Sequence, residues 1–503
     1  MKAFLMYNDH DFNLQQKLPP NEQALMQDLE LNTLFNALAL GDKFLFEVAK
    51  TAVLSGLTDP DAIRYRQNIV KDCLKNSSIV RDIYDIAVES IESRKKRWYG
   101  FFSQYHPTST LHSSIDLLQM YVSILKKLRN IADKHADKFE SEGFTAFFAM
   151  LNKELGDEFF VSVQNHLREL KFRDGVLISA ELGKGNKGID YILRKPKDKK
   201  RGWMKRIFAT KPPVYVFHIA DRDEGGFQAL TELKDRGVND VANALAQSAD
   251  HILSFFNMLQ AELAFYIGCL NLHEQLAQMG EPISFPLPAA SGERRHSFCG
   301  LYDVCLALTM KHKIVGNDVT ADNIDLVIIT GANQGGKSTF LRSIGLAQLM
   351  MQCGMFVPAE SFRSNVCEGL FTHYKREEDA TMKSGKLDEE LGRMSDIADR
   401  VTPNSMILFN ESFAATNERE GSEIARQIVR ALLEKGIKAF FVTHLYEFAR
   451  ILCDKKMENA IFLRAERQDD GGRTFKLSEG EPLQTSFGED LYRTIFGTEN
   501  SSN

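Results

Sequence analysis

The chain has 503 residues, 44% of them hydrophobic and 26% charged, which at roughly 100–200 residues per domain suggests two to four domains with a large buried core. Its 62 Lys and Arg against 68 Asp and Glu leave a net charge of −6, which excludes a general polyanion binder and requires any nucleic-acid surface to come from local clustering. Seven scattered cysteines without a CxxC pair lack the spacing of a zinc site or disulfide framework, and no unbroken run of 18 apolar residues occurs, so no bilayer span is expected.

At the N-terminus, Ala3-Phe4-Leu5-Met6-Tyr7 is too short for the apolar stretch of a signal peptide and runs into Asn8-Asp9-His10-Asp11, so a cytoplasmic protein is expected. From Glu22 to about Leu272 apolar residues recur at three- and four-residue steps, the pattern of packed helices. Ile115, Leu118, Val122, Leu125 and Leu128 form one such stripe, with Lys126, Lys127 and Arg129 turned outward. Between Leu177 and Ala220 the pattern switches: Val176–Ile178, Ile189–Leu193 and Val214–Phe217 read as short strands around glycine-rich turns and a basic loop.

After Pro282, Pro286 and Pro288 short apolar strands alternate with helices, the signature of a parallel sheet with crossover helices. The predicted strands are Ile324–Thr330, Met406–Phe409 and Ala439–Thr443, with helices from Ser338 to Cys353 and from Ser422 to Lys435, the latter stopped by Gly436. Ala460–Leu463 and Thr474–Leu477, joined by Asp469-Asp470-Gly471-Gly472, read as an edge hairpin.

The chemistry concentrates in this second half. Gly331-Ala332-Asn333-Gln334-Gly335-Gly336-Lys337-Ser338 has the GxxxxGK[ST] spacing and lies between a predicted strand and a predicted helix, the context that a phosphate-cradling loop requires. Glycines let backbone N–H groups wrap phosphate oxygens, Lys337 can reach the outer phosphates, the Ser338 hydroxyl can ligate Mg²⁺, and the helix contributes its positive end. Met406–Phe409 ends in Asn410-Glu411. A carboxylate at that strand end can align an attacking water, which makes Glu411 the candidate general base, and Asn410 stands where a metal-holding Asp is usual. Phe440–Thr443 ends in His444, placed to hydrogen-bond a terminal phosphate.

The run Ile328–Arg342, followed by Cys353-Gly354-Met355-Phe356-Val357-Pro358-Ala359, together with Asn410-Glu411, Thr416, Glu420-Gly421, Thr443-His444 and Ser486-Phe487-Gly488, resembles the ATPase domain of the MutS family of DNA mismatch-repair clamps. The likeness covers about Val315 to Gly497, and a weaker one, from Asp28-Leu29-Glu30 through Asp59–Gln67, extends to that family's helical core. It implies an α/β P-loop ATPase domain, mostly parallel sheet with flanking helices, at 291–503, preceded by a mainly α-helical core and lever domain at 1–290 with a small basic β insertion near 177–220. It implies ATP and Mg²⁺ as cofactors, with Gly331 through Thr339 binding nucleotide, Ser338 and Asn410 holding metal, and Lys337, Glu411 and His444 catalytic. It also implies a homodimer through the ATPase domains, each nucleotide being completed by a partner's signature segment that matches Ser384-Gly385-Lys386, with Thr416 and Asn417 in the facing loop. Leu387-Asp388-Glu389-Glu390 then follows where the family has a Ser-Thr-Phe run. The chain as given starts at the helical core, so neither the family's mismatch-reading N-terminal domain nor its Smr nuclease domain is expected within it.

Eleven basic residues against Asp190 and Asp198 between Lys184 and Lys211 give a local charge of +9, with Trp203 among them. Lys195, Lys199, Lys200, Arg201 and Trp203 are the candidates for contact with duplex, mismatched or branched DNA, since basic residues neutralise phosphates and an indole stacks on sugars or bases. A solvated loop is the alternative, and Arg94-Lys95-Lys96-Arg97-Trp98-Tyr99 is a second, equally open cluster. The expected function is thus ATP-dependent clamping of DNA in mismatch repair or a related repair or recombination process. The alternatives are a nucleotide-gated scaffold that hydrolyses little, motivated by Asn410, and a transporter-type ATPase subunit, which would need an LSGGQ segment that the chain lacks.

Overall fold

The computed structural model describes residues 1–98, 106–173, 175–195, 216, 218–376, 385–468 and 472–484. Its contacts divide the chain into two compact units: Met1–Ala3, Arg81–Phe139 and Thr145–Gln260 in one, and Phe4–Val80, Glu140–Phe144 and Ala261–Asn503 in the other. The division differs from a linear boundary at 290, because the first 80 residues fold largely with the C-terminal half. Packing, not sequence proximity, decides such membership.

The first unit is helical. In the Pro107–His135 helix all five residues of the predicted stripe are buried, while Lys127 points outward and pairs with Glu89 at 2.7 Å. Tyr121 packs against Phe256 of the Glu224–Gln278 helix with ring centroids 6.3 Å apart. The predicted β excursion appears as an antiparallel hairpin, β1 (Ile178–Leu182) and β2 (Gly188–Leu193). It seats Ile178 on Gly237 of the long helix, where a Cβ would lie 2.4 Å from the Ile178 Cδ1. The third predicted strand, 214–217, lies outside the described residues except for Val216.

The Glu224–Gln278 helix is long and apolar enough to cross a membrane by length and composition, which the unbroken-run criterion did not register. Some 67% of its most apolar 18-residue window is buried inside the protein, as in a core helix.

Among the described residues the second unit holds two sheets. One has four strands in the order β3-β7-β4-β5: β3 (Leu287–Ala289), β4 (His296–Leu301), β5 (Asn317–Thr320) and β7 (Ser361–Asn365). The other has six in the order β12-β11-β6-β10-β9-β8: β6 (Leu326–Gly331), β8 (Leu370–Tyr374), β9 (Met406–Asn410), β10 (Lys438–Val442), β11 (Ala460–Arg467) and β12 (Arg473–Glu479). From β11 to β8 this sheet is parallel, and β12 closes its edge as the antiparallel partner of β11. β6, β9 and β10 are apolar on both faces because helices cover both, as expected for a buried parallel sheet. Phe409 stacks on Phe441 with centroids 4.7 Å apart at the centre of one face.

In the same unit the N-terminal segment is held by buried polar groups. Arg66 is fully buried: its Nε donates to the Met6 carbonyl at 2.7 Å and its Nη1 to the Cys353 carbonyl at 3.3 Å, and its guanidinium lies 4.5 Å from the Tyr7 ring centroid. The Tyr65 and Tyr266 hydroxyls donate to the Phe4 and Leu5 carbonyls, and Glu262 accepts from the Leu5 and Phe12 amides. Burial outweighs those two amide bonds and pushes the Glu262 carboxyl up to about 7. Removing the guanidinium would leave two buried carbonyls unpaired beside a cavity. Arg66→Ala is therefore expected to cost about 3–5 kcal/mol of stability, read as a lower midpoint in thermal unfolding.

Candidate nucleotide site

β6 ends at Gly331, and the loop to Gly336 leads into the Lys337–Gln352 helix, one residue earlier than the sequence suggests. Gly336 caps this helix at φ +85°, a conformation that side-chain-bearing residues rarely adopt. At Gly335 a Cβ would stand 2.8 Å from the Ala465 Cβ on β11 and 2.9 Å from the Ala332 carbonyl oxygen. Glycine is thus needed at that position both for the loop's curl and for its approach to the neighbouring strand.

Lys337 is buried and its Nζ donates to the carbonyls of Gly331 at 3.1 Å and Ala332 at 2.8 Å. Burial pushes its ammonium down to about 8, with Glu411 opposing and Arg473 reinforcing the shift. Among the described residues the hydrogen-bond partners of its ammonium are thus two neutral carbonyls, and an arriving anion would favour its charged form. The Ser338 Oγ donates to the Asn410 Oδ1 at 2.8 Å, which brings a hydroxyl and an amide oxygen together. That donor pair suits Mg²⁺, a hard cation that takes oxygen ligands, but it lacks the carboxylate charge that tightens such sites.

Glu411 follows β9 in the left-handed region, at φ +53°. Its amide donates to the Val442 carbonyl of β10 at 2.9 Å, its Oε1 lies 3.2 Å from the His444 Nε2, and its Oε2 lies 3.8 Å from the Lys375 Nζ. The hydrogen bond with His444, helped by the charges of Lys375 and Lys337 and opposed by burial, holds the carboxyl below its ordinary range. It is a carboxylate near neutral pH, able to accept a proton.

Asn333, Gln334, Gly335, Gly336, Lys337, Ser338, Thr339, Glu411 and His444 line one cavity of about 480 Å³. Sequence reasoning thus gathered a set that the fold does bring together from the ends of three strands. The same cavity has a second, mainly apolar side built from Leu301, Tyr302, Leu306, Ile314, Val315 and Phe475, none of which the sequence marks as a binding residue. Arg473 donates to the Asn333 carbonyl at 3.1 Å, and Asn317 joins β5 to β12 through the Phe475 carbonyl at 3.2 Å and the Leu477 amide at 2.8 Å. Only pairing across the edge hairpin places these residues, so no local pattern announces them. Lys375 was missed because β8 was.

Other predicted residues fall elsewhere. Asn417 caps its own helix by accepting from the Glu420 amide at 3.0 Å, and Thr416 donates to Glu420 at 2.6 Å. Lys195 is exposed and pairs with Glu169 at 3.1 Å. Ser384, Lys199, Lys200, Arg201 and Trp203 lie outside the described residues.

The second unit is therefore an α/β fold in which a parallel strand feeds a GxxxxGK[ST] loop and the parallel strands β9 and β10 beside it lead into Glu411 and His444. A sequence model of the MutS2 N-terminal domain matches residues 58–279, and one of MutS domain V, an ATPase domain, matches residues 327–494. The chain belongs to the MutS family. It is 29% identical to the DNA mismatch repair protein MutS of Leuconostoc citreum over 48% of this chain and 28% of that protein. It is 24% identical to the protein of the same name from Prochlorococcus marinus, over 72% and 37% respectively. To Endonuclease MutS2 of Lacticaseibacillus casei it is 28% identical over 43% of this chain and 28% of that protein. The matched stretches thus span little more than a third of these relatives' length at most.

Proposed function

We propose that the protein binds and hydrolyses ATP·Mg²⁺ to switch a MutS-type clamp on DNA, in mismatch repair or a related repair or recombination process. The observation that carries this reading is the meeting of Lys337, Ser338 with Asn410, and Glu411 with His444 around one cavity. In it, the amides of Gly331 to Thr339 cradle the phosphates, and Lys337 leaves its two carbonyls for the outer phosphoryl oxygens and stabilises charge as the terminal phosphoryl group moves to water. Glu411 aligns that water and takes its proton, while His444 hydrogen-bonds either Glu411 or the terminal phosphate and so registers the loss of that phosphate. Ser338 and Asn410 hold Mg²⁺, which supplies charge neutralisation on the phosphate oxygens when bound. The apolar side of the cavity, with Phe475, takes the base.

The domain reading that goes with it divides the chain into a helical core and lever at 1–290 and the ATPase part at 291–503. Two copies pair through the latter, with Ser384 completing the partner's site and with Lys195, Lys199, Lys200, Arg201 and Trp203 against DNA. Its setting is the cytoplasm. Lys337→Ala is expected to abolish ATP binding in calorimetry, and Glu411→Gln to keep binding while losing about 10²–10⁴-fold in turnover. Unchanged turnover in either variant would overturn the mechanism.

A second reading, a nucleotide-gated scaffold with little hydrolysis, is favoured by Asn410, which keeps an oxygen but loses the charge of an Asp. If it is correct, Asn410→Asp raises a near-silent ATPase rate steeply; a brisk wild-type rate with little change would dismiss it. For the basic segment, replacing Lys199, Lys200 and Arg201 with Gln should weaken DNA binding for all sequences alike. It should also lower the slope of log affinity against log salt by roughly 0.9 per lost phosphate contact, and an unchanged slope would leave the segment a solvated loop.

A further inference from the structure

One buried polar cluster beside the site has no part in the roles above. His373, on β8, is fully buried and stacked against Phe413 with centroids 5.2 Å apart. Its Nδ1 lies 2.7 Å from the Ser412 Oγ and its Nε2 3.0 Å from the Glu390 carbonyl oxygen, and the Ser412 Oγ lies 2.6 Å from the His373 carbonyl oxygen. Ser412 is also fully buried and sits between two residues of left-handed backbone, Glu411 at φ +53° and Phe413 at φ +63°. Such a turn persists only where its surroundings over-determine it. One side is closed by Gly421, where a Cβ would come within 2.4 Å of the Phe413 carbonyl oxygen. The other is closed by His373.

The hydrogen-bond inventory fixes how the cluster works. Burial pushes the His373 imidazolium down to about 4, so the ring is neutral and carries one proton. A carbonyl oxygen can only accept, so that proton is on Nε2 and is donated to Glu390, in the Lys386–Ala398 helix. Nδ1 is then an acceptor, and the single Ser412 hydroxyl proton is shared between it and the His373 carbonyl. The turn that carries Glu411 is thus bound on its buried side to β8, and through the imidazole to the Lys386–Ala398 helix.

We propose that His373 is a positioning residue, which through Ser412 fixes the turn presenting Glu411 to the cavity and through Glu390 ties that turn to the Lys386–Ala398 helix. The proposal rests on Glu411 being the base of a nucleotide hydrolase. Asn and Gln separate the two links, because an Asn amide takes the place of the Nδ1 edge and a Gln amide that of the Nε2 edge. In the full chain with ATP·Mg²⁺, Ser412→Ala and His373→Gln are expected to lower kcat by roughly ten- to a hundredfold, the scale on which a misplaced reacting group acts, with KM unchanged. His373→Asn should keep most of the rate.

The ring NMR signals of His444, which contacts Glu411, give a readout independent of turnover. They should move in Ser412→Ala and His373→Gln and stay in place in His373→Asn. Wild-type rates and His444 signals in all three variants would overturn the proposal. So would a lowered unfolding midpoint in all three with a rate loss no larger than the loss of folded protein and with His444 signals in place in the folded fraction, which is what a merely structural role produces. A wild type that takes up no ATP would instead sink the hydrolase reading, while the His444 signals would still decide whether His373 and Ser412 position Glu411.

Discussion

The parallel pairing of β6, β10 and β9 is the constraint on which the site depends. Val442 is in register with Ile329 on one side and with Asn410 on the other, so the three strands end at one level. Whatever follows each strand must then share one space: the glycine loop and Lys337 after β6, Glu411 after β9, His444 after β10. Parallel strands need crossover connections, which explains why residues about 30 to 75 positions apart in sequence meet. Ligand crevices outside the carboxyl ends of parallel strands are the general outcome of this geometry.

That arrangement also explains what could be foreseen from the residues alone. β6, β9 and β10 are continuous apolar runs with polar residues directly after them, so both the strands and their functional ends stand out, and the helix after the loop is displaced by only one residue. The edge hairpin of β11 and β12 was visible because its turn residues separate two apolar stretches. β8 was missed: Leu-Phe-Thr-His-Tyr is short and carries a polar pair, yet all five residues are buried, because Thr372 and His373 fill the interior beneath the site rather than a solvated face. The four-stranded sheet was missed because its strands are three to six residues long and held by pairings such as β3 with β7, which no local periodicity encodes. The N-terminal segment gave no sign that Arg66, Tyr65, Tyr266 and Glu262 would bind it. Its partners are up to 261 residues away.

The electrostatics of the site follow from one substitution and its surroundings. With Asn at 410, the carboxylates lining the cavity among the described residues are those of Asp303 and Glu411, and it is Glu411 that Lys375, Lys337 and His444 face. Burial pushes the Lys337 ammonium toward about 8 and Glu411 opposes that shift, while the His444 hydrogen bond, helped by Lys375 and Lys337, holds the Glu411 carboxyl down against its own burial. An aspartate at 410 would add a second negative charge within hydrogen-bond reach of Ser338. Its absence leaves the pocket more positive, which favours holding a polyanion and weakens the grip on a divalent cation.

Backbone strain completes the argument. Glu411 and Phe413 each occupy a left-handed conformation that costs a side-chain-bearing residue about 1–3 kcal/mol, and they do so two positions apart. Burial of the Phe413 ring against His373 and Phe409 offsets part of that cost, and the Glu411 amide bond to Val442 pins the turn to β10. The result is a carboxylate whose backbone cannot relax without breaking contacts in β8, β10 and the Phe409 cluster at once. Precision in the site is therefore not a property of Glu411 itself. It is imposed by the buried groups behind it, which is why a fully enclosed Ser-His pair, chemically mute toward solvent, belongs to the working part of the molecule.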